Sequence, residues 1–148
     1  VKRKVIRWVL ALLLVLATAW LGWSMKPYES NPDPAARFHI RMTEIRRDHS
    51  FFWVDIHLQR SGNLEHDLTI PVRLRTSSGK AIAPADTTLS GKPGAGTTEL
   101  RFLFWVETQD LEGPLELHLN GGRLIVKSTP GIPDPGSRGS KFLHSNRW

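Results

Sequence analysis

Between Arg37 and Ser128 apolar and polar residues alternate with a period of two. In "RFHIRM", Phe38, Ile40 and Met42 alternate with Arg37, His39 and Arg41. In "FFWVDIHLQ", Phe52, Val54, Ile56 and Leu58 alternate with Phe51, Trp53, Asp55 and His57. "LTIPVRLRT" contributes Leu68, Ile70, Val72 and Leu74, and "ELRFLFWVE" contributes Leu100, Phe102, Phe104 and Val106. A strand turns successive side chains to opposite faces, so the pattern predicts half-buried antiparallel strands. No segment after Met25 has the spacing of an amphipathic helix. Turn-rich stretches such as "SSGKAIAP" and "SGKPGAG" separate the patterned ones, around a short strand at Ala81–Ala83 or Thr87–Leu89.

Two hairpins can be put in register from the pattern alone. In "LELHLNGGRLIVK", a two-residue turn at Gly121-Gly122 sets Asn120 opposite Arg123. Leu119 then faces Leu124 and Leu117 faces Val126, with Glu116 against Lys127 on the other side. The first two strands, turning at Arg47-Asp48-His49, place Ile40 opposite Ile56 and Met42 opposite Val54. That register also sets Arg41 against Asp55 and His39 against His57. Six to eight short strands in about 92 residues imply an all-β domain. The expected architecture is an immunoglobulin- or fibronectin-like antiparallel β-sandwich, residues 37–128.

A different pattern precedes it. "WVLALLLVLATAWLGWSM", Trp8 to Met25, carries no charge. At about 1.5 Å per residue its 18 residues cover about 27 Å, enough for a hydrocarbon core. Trp8 stands at one end and Trp20, Trp23 and Tyr28 at the other, where amphipathic rings meet headgroups. Lys2, Arg3, Lys4 and Arg7 lie before it, so residues 1–7 read as a cytoplasmic basic segment and residues 8–25 as a transmembrane signal-anchor that sends the rest across. The alternative is a secreted protein cleaved after Ala19, within Ala17-Thr18-Ala19. Residues 26–36 hold three prolines, Pro27, Pro32 and Pro34, and read as a semi-stiff stalk.

Charge changes the picture less than its total suggests. The formal net charge is +6, but four of the 20 basic side chains belong to the first seven residues. The rest carries 16 against 14 acidic groups, a mixed surface that argues against a nucleic-acid partner. The absence of cysteine excludes disulfides and zinc–thiolate sites.

Chemistry is sparse. His39 and His57, facing each other, are weak metal candidates because a firm site needs three or four ligands. "GKPGAGTT" lacks the Lys that a P-loop requires after its second Gly, and Glu99 breaks the dinucleotide fingerprint. No hydrolase, zinc-protease or calcium-loop motif occurs, so the expectation is no enzyme and no cofactor. More informative are apolar groups on the face away from the core. Phe51, Trp53, Leu103 and Trp105, with Ile125, would form a patch large enough to need covering. Residues 129–148 begin with "STPGIPDPGSRGS" and end in Phe142, Leu143 and Trp148, a flexible tail with a docking end. That end could fold onto the patch, engage another protein or enter the membrane interface. The expected function is a membrane-anchored, extracytoplasmic accessory subunit, periplasmic in a bacterium. It would touch the bilayer through Trp8–Met25 and a membrane-protein partner through the patch. The alternatives are a small-ligand or metal-binding protein and, less favoured, an enzyme with an unrecognised site.

Overall fold

The computed structural model describes all 148 residues. All of the uncharged run but Met25 lies within one helix, α1 (Lys2–Ser24), long and apolar enough to cross a membrane. None of its residues is buried, and Trp8, Trp20 and Trp23 project freely. A short 3-10 turn, Pro34–Ala36, then leads into nine strands. They are β1 (Phe38–Asp48), β2 (Phe51–Arg60), β3 (Arg73–Thr76), β4 (Ala81–Ile82), β5 (Asp86–Lys92), β6 (Gly96–Glu107), β7 (Leu115–Leu119), β8 (Gly122–Lys127) and β9 (Ser140–Leu143). A single helical turn, α2 (Thr108–Leu111), joins β6 to β7 and buries Leu111.

Two antiparallel sheets form, ordered β5-β6-β2-β1-β9 and β4-β3-β7-β8. The predicted alternation drives their packing. Phe52, Val54 and Ile56 of β2 and Phe102, Phe104 and Val106 of β6 are inaccessible to solvent or nearly so. Leu74, Leu117, Leu124 and Val126 complete the core from the second sheet. Each buried side chain of this size contributes about 1.5–3 kcal/mol.

Local chemistry shifts several expected registers. Arg41 is an extra residue in β1, a bulge between Ile40 and Met42. Past it the faces switch: Thr43 and Ile45 point into the core, and Met42 stands half-buried opposite His57. His39 therefore pairs with Gln59 rather than His57, and Arg41 does not face Asp55. The hairpin turns at His49-Ser50, with Asp48 opposite Phe51. "LTI" is not strand. The Asp67 carboxylate accepts from the amide and hydroxyl of Thr69, at 2.9 and 2.6 Å, and bends the chain before Pro71. Leu68 is left exposed.

The second hairpin turns one residue earlier than expected. Asn120 and Gly121 both have positive φ, 52° and 82°, as the favoured two-residue turn requires. Leu119 thus pairs with Gly122, Leu117 with Leu124 and Glu116 with Ile125. Asn120 is buried because its amide ties three loops together. It donates to Ala36 O at 2.7 Å and accepts from the Asp67 amide at 2.8 Å, with His66 Nδ1 also at 2.8 Å. Gly122 has no room for a side chain, since a Cβ would lie 2.3 Å from Ala36 N. A second irregularity, between Leu115 and Glu116, leaves Lys127 opposite Leu115 and buried rather than facing Glu116. Its ammonium donates to the carbonyls of Glu112 and Thr129, and burial lowers its pKa.

The segments expected to be a stalk and a flexible tail are parts of the domain. Strand β9 pairs with β1, setting Leu143 opposite Thr43 and Phe142 opposite Glu44. Leu143 is buried and Phe142 is 53% exposed. Residues 144–148 then cross to the second sheet. There Trp148 Nε1 donates to Tyr28 Oη at 2.8 Å and Val126 O at 2.9 Å. Tyr28, from the supposed stalk, is itself buried and donates to Val126 O, with Thr43 Oγ1 at 3.1 Å. Burial pushes its phenol pKa up to about 12. Between Tyr28 and Ala36 the chain follows the free edge of β8. Glu29 accepts from the amide of Ile125 at 3.2 Å and Asp33 from that of Arg123 at 3.0 Å. Donors that point outward at alternate positions are thus met by two carboxylates four residues apart.

Candidate functional site

The outer face of the larger sheet is built by the alternation that builds the core. With Phe52 and Val54 inward, Phe51, Trp53, Asp55 and His57 must point out. With Phe102, Phe104 and Val106 inward, Arg101, Leu103 and Trp105 do the same. Pairing of β2 with β6 sets Trp53 opposite Trp105 and Asp55 opposite Leu103. The aromatic rings form a three-membered stack. Trp105 lies in the middle, 4.1 Å from Phe51 and 6.0 Å from Trp53 between centroids, with interplanar angles of 28° and 21°. Trp53 Nε1 donates to Asp48 Oδ2 at 3.1 Å, which fixes one end. Trp105 remains 48% exposed. Trp105 thus has a ring neighbour in both Phe51 and Trp53, and the three form one aromatic ridge.

Four of the expected surface residues, Phe51, Trp53, Leu103 and Trp105, therefore share one face. Ile125 does not join them. It lies exposed on β8, on the outer side of the other sheet. The tail does not cover the ridge either, because Phe142, Leu143 and Trp148 go to the edge strand and the seam.

Beside the ridge lies a charged cluster that reading the chain did not single out. Asp55 is only 4% exposed, and Arg101 takes both of its oxygens. Arg101 Nε donates to Oδ1 and Oδ2 at 2.9 Å, and Nη2 donates to Oδ2 as well. This contact raises the guanidinium pKa further. His57 Nε2 is 3.4 Å from Asp55 Oδ1, buried and without a protein hydrogen-bond partner, and Glu44 stands opposite Asp55 on β1. Ligand atoms of Glu44, Asp55 and His57 fall within 4.8 Å of one another. A cation there would compete with a guanidinium already holding both Asp55 oxygens. His39 is elsewhere, its Nδ1 2.9 Å from Ser61 Oγ, with its pKa lowered by burial and by Arg41. Alternation alone put Asp55 and Arg101 on this face. What it lacked was the β2–β6 pairing that brings them together.

The chain matches no known protein family, no curated protein and no solved structure. Function therefore has to be argued from geometry. At the end of the ridge Phe51 lines an open groove of about 430 Å³ with Ser50, Glu107, Thr108, Gln109, Glu112 and Ile132. A smaller hollow of about 110 Å³ lies over Asp55, Arg101, Asp86, Thr88 and Leu103. Neither has the enclosed, apolar form that captures small molecules. In the smaller hollow Arg101 already holds the Asp55 carboxylate, and in the open groove the Thr108 hydroxyl donates to Ser50 O at 2.6 Å.

Proposed function

We propose that this chain is a membrane-tethered, non-catalytic binding module whose contact surface is the outer face of the larger sheet. The observation that carries the reading is the Phe51–Trp105–Trp53 ridge, in which Phe51 and Trp53 are half-buried and Trp105 stays 48% exposed. Stacked aromatics bury large areas at little rotamer cost, and they anchor protein interfaces for that reason. Polar groups rim the ridge, with Asp48 at one side and the Asp55–Arg101 pair at the other, as at a protein-binding patch. The partner is a membrane protein, because α1 would confine this module to the bilayer. Four basic residues before the apolar run support a cytoplasmic N-terminus and a domain on the other side.

Strand order supports an immunoglobulin-like sandwich. In the order β1, β2, β6, β5 the larger sheet matches the A-B-E-D sheet of such domains, and β3, β7, β8 match C-F-G. Strand β4 would then be an added strand beside C, and β9 an added strand beyond A. The small-ligand or metal reading draws less support, since Arg101 already saturates the buried carboxylate.

A photocrosslinking residue at position 105 tests the proposal in intact membranes. One discrete protein adduct is expected from position 105 and none from position 89 on β5. Trp105→Ser should abolish co-purification of that protein while moving the melting temperature little, because the ring is half exposed. Adducts that are equal at both positions, or absent from both, would sink the proposal.

A further inference from the structure

We propose that the edge formed by β9, the end of β1 and residues 144–148 rests on anionic phospholipid headgroups. The inference depends on α1 spanning the bilayer, as in the functional reading above. Helix α1 ends at Ser24 and Tyr28 is already buried in the domain. Four residues reach at most about 14 Å even when fully extended. The headgroup layer takes up about 5–8 Å of that on each side of the hydrocarbon core. So the surface around Tyr28 has no room to stand away from the membrane.

That surface has the chemistry of a lipid contact. The Asn146 amide donates to Tyr28 O at 3.1 Å, which places Arg147 and Trp148 beside the point of entry. Pairing of β9 with β1 sets Ser140 opposite Arg46, with Lys141 and Phe142 following. Lys26, Arg46, Lys141 and Arg147 are all exposed, and none takes part in an ion pair. The nearby acids have other partners: Glu29 accepts from the Ile125 amide, Glu44 faces the Asp55–Arg101 pair, and Asp48, which also feels Arg46, accepts from Trp53 Nε1 and contacts His49 Nδ1. Phe142, more than half exposed next to Lys141, adds an aromatic ring at the level where rings meet headgroups. Unpaired cations beside an apolar ring suit phosphate above an acyl boundary. An acidic protein surface would satisfy the cations but would not account for a tether this short.

The absence of cysteine makes a clean test possible. The full chain carries one fluorophore, at His144→Cys or, as a distal control, at Asn63→Cys. It is reconstituted in nanodiscs of phosphatidylcholine with or without phosphatidylglycerol and quenched by a headgroup spin label. In anionic discs quenching at 144 should exceed that at 63 by about fivefold or more, the factor that one Lys or Arg near an anionic surface supplies. The excess should shrink in neutral discs. It should also shrink when Arg46, Lys141 and Arg147 are all replaced by Gln, with the thermal melt of that variant unchanged. Equal quenching at both sites, or an excess indifferent to lipid charge, overturns the inference while leaving the anchor intact. A chain that alkali strips from the discs refutes the anchor, and the inference with it.

Discussion

Along β5 every residue is exposed, and the strand simply ends the larger sheet. On the opposite side of the domain, β8 ends the smaller sheet, but there two arms of the chain close over the gap between sheets. β5 protects itself with composition: Asp86 at its start, Lys92 at its end, and a bulge at Ser90/Gly91 that spoils it as a template. β8 is protected by long-range contacts, with carboxylates on its outward amides and Tyr28 and Trp148 over the core. A self-sufficient edge tolerates change, whereas an edge closed from afar depends on each contributor.

The largest effect should come from the seam. Trp148→Ala removes an aromatic plug, a hydrogen-bond donor to two acceptors and the ring 5.8 Å from the Lys127 ammonium. The expected loss is about 3 kcal/mol, at the low end for a large core residue because Trp148 is only partly buried. Denaturant unfolding measures it, and a change below about 1 kcal/mol would show that the seam closes without this ring. Removing residues 139–148 should cost more, since β9 goes as well.

Tyr28→Phe comes next. It keeps the ring but leaves the buried Thr43 hydroxyl and the Trp148 indole with one partner fewer, at a cost of about 1–2 kcal/mol. It should also change the response to alkali. Because the folded-state pKa is raised from 10.0 to about 12, the phenol's contribution is whole below pH 10 and drains away as pH climbs toward 12. The drop is of order 3 kcal/mol, from two pKa units. Lys127 pulls the other way: its lowered pKa makes stability rise as pH nears 10.5 from below. The difference between the native chain and Tyr28→Phe therefore isolates the phenol, and parallel curves between pH 10 and 12 would contradict its burial.

Asp33→Asn should have a smaller effect, confined to one pH range. Amides of Ala35 and Arg123 hold the Asp33 carboxyl below its ordinary pKa. Its contribution is present above pH 4 and lost as pH falls through the lowered value. The variant should show a flatter acid limb than the native chain, and identical limbs would mean the β8 edge is not held by charge. Smallest of all, Leu89→Lys on β5 should shift stability by no more than about 0.5 kcal/mol. A loss as large as that of Tyr28→Phe would erase the contrast between the two edges.

Period-two alternation made β2 and β6 legible down to the facing of each side chain, and with them the aromatic ridge. The rest escaped for identifiable reasons. A bulge is one unpaired residue, and nothing in the local pattern marks Arg41 as that residue. Asn120 was a better turn residue than Gly122, but its turn role shows only once the amide is seen tied to Ala36 and Asp67. Lys127 reads as a surface cation until backbone carbonyls are brought around it. Tyr28 and Trp148 lie in stretches with no periodicity, and they bond to each other across 120 positions. Pattern reports contacts made within an element, while these were made across nearly the whole chain.

The bond between Trp148 and Tyr28 also sets an order of events. It joins positions 120 residues apart, whereas the β1–β2 hairpin closes on itself as soon as Arg60 is made. At typical synthesis rates of about 5–20 residues per second, Tyr28 waits roughly 6–24 s for its partner. During that interval α1 is already available to the membrane, and the core between the sheets stays unsealed on one side. The domain thus matures as a zip fastener does, its seam closing only once Trp148 has been made.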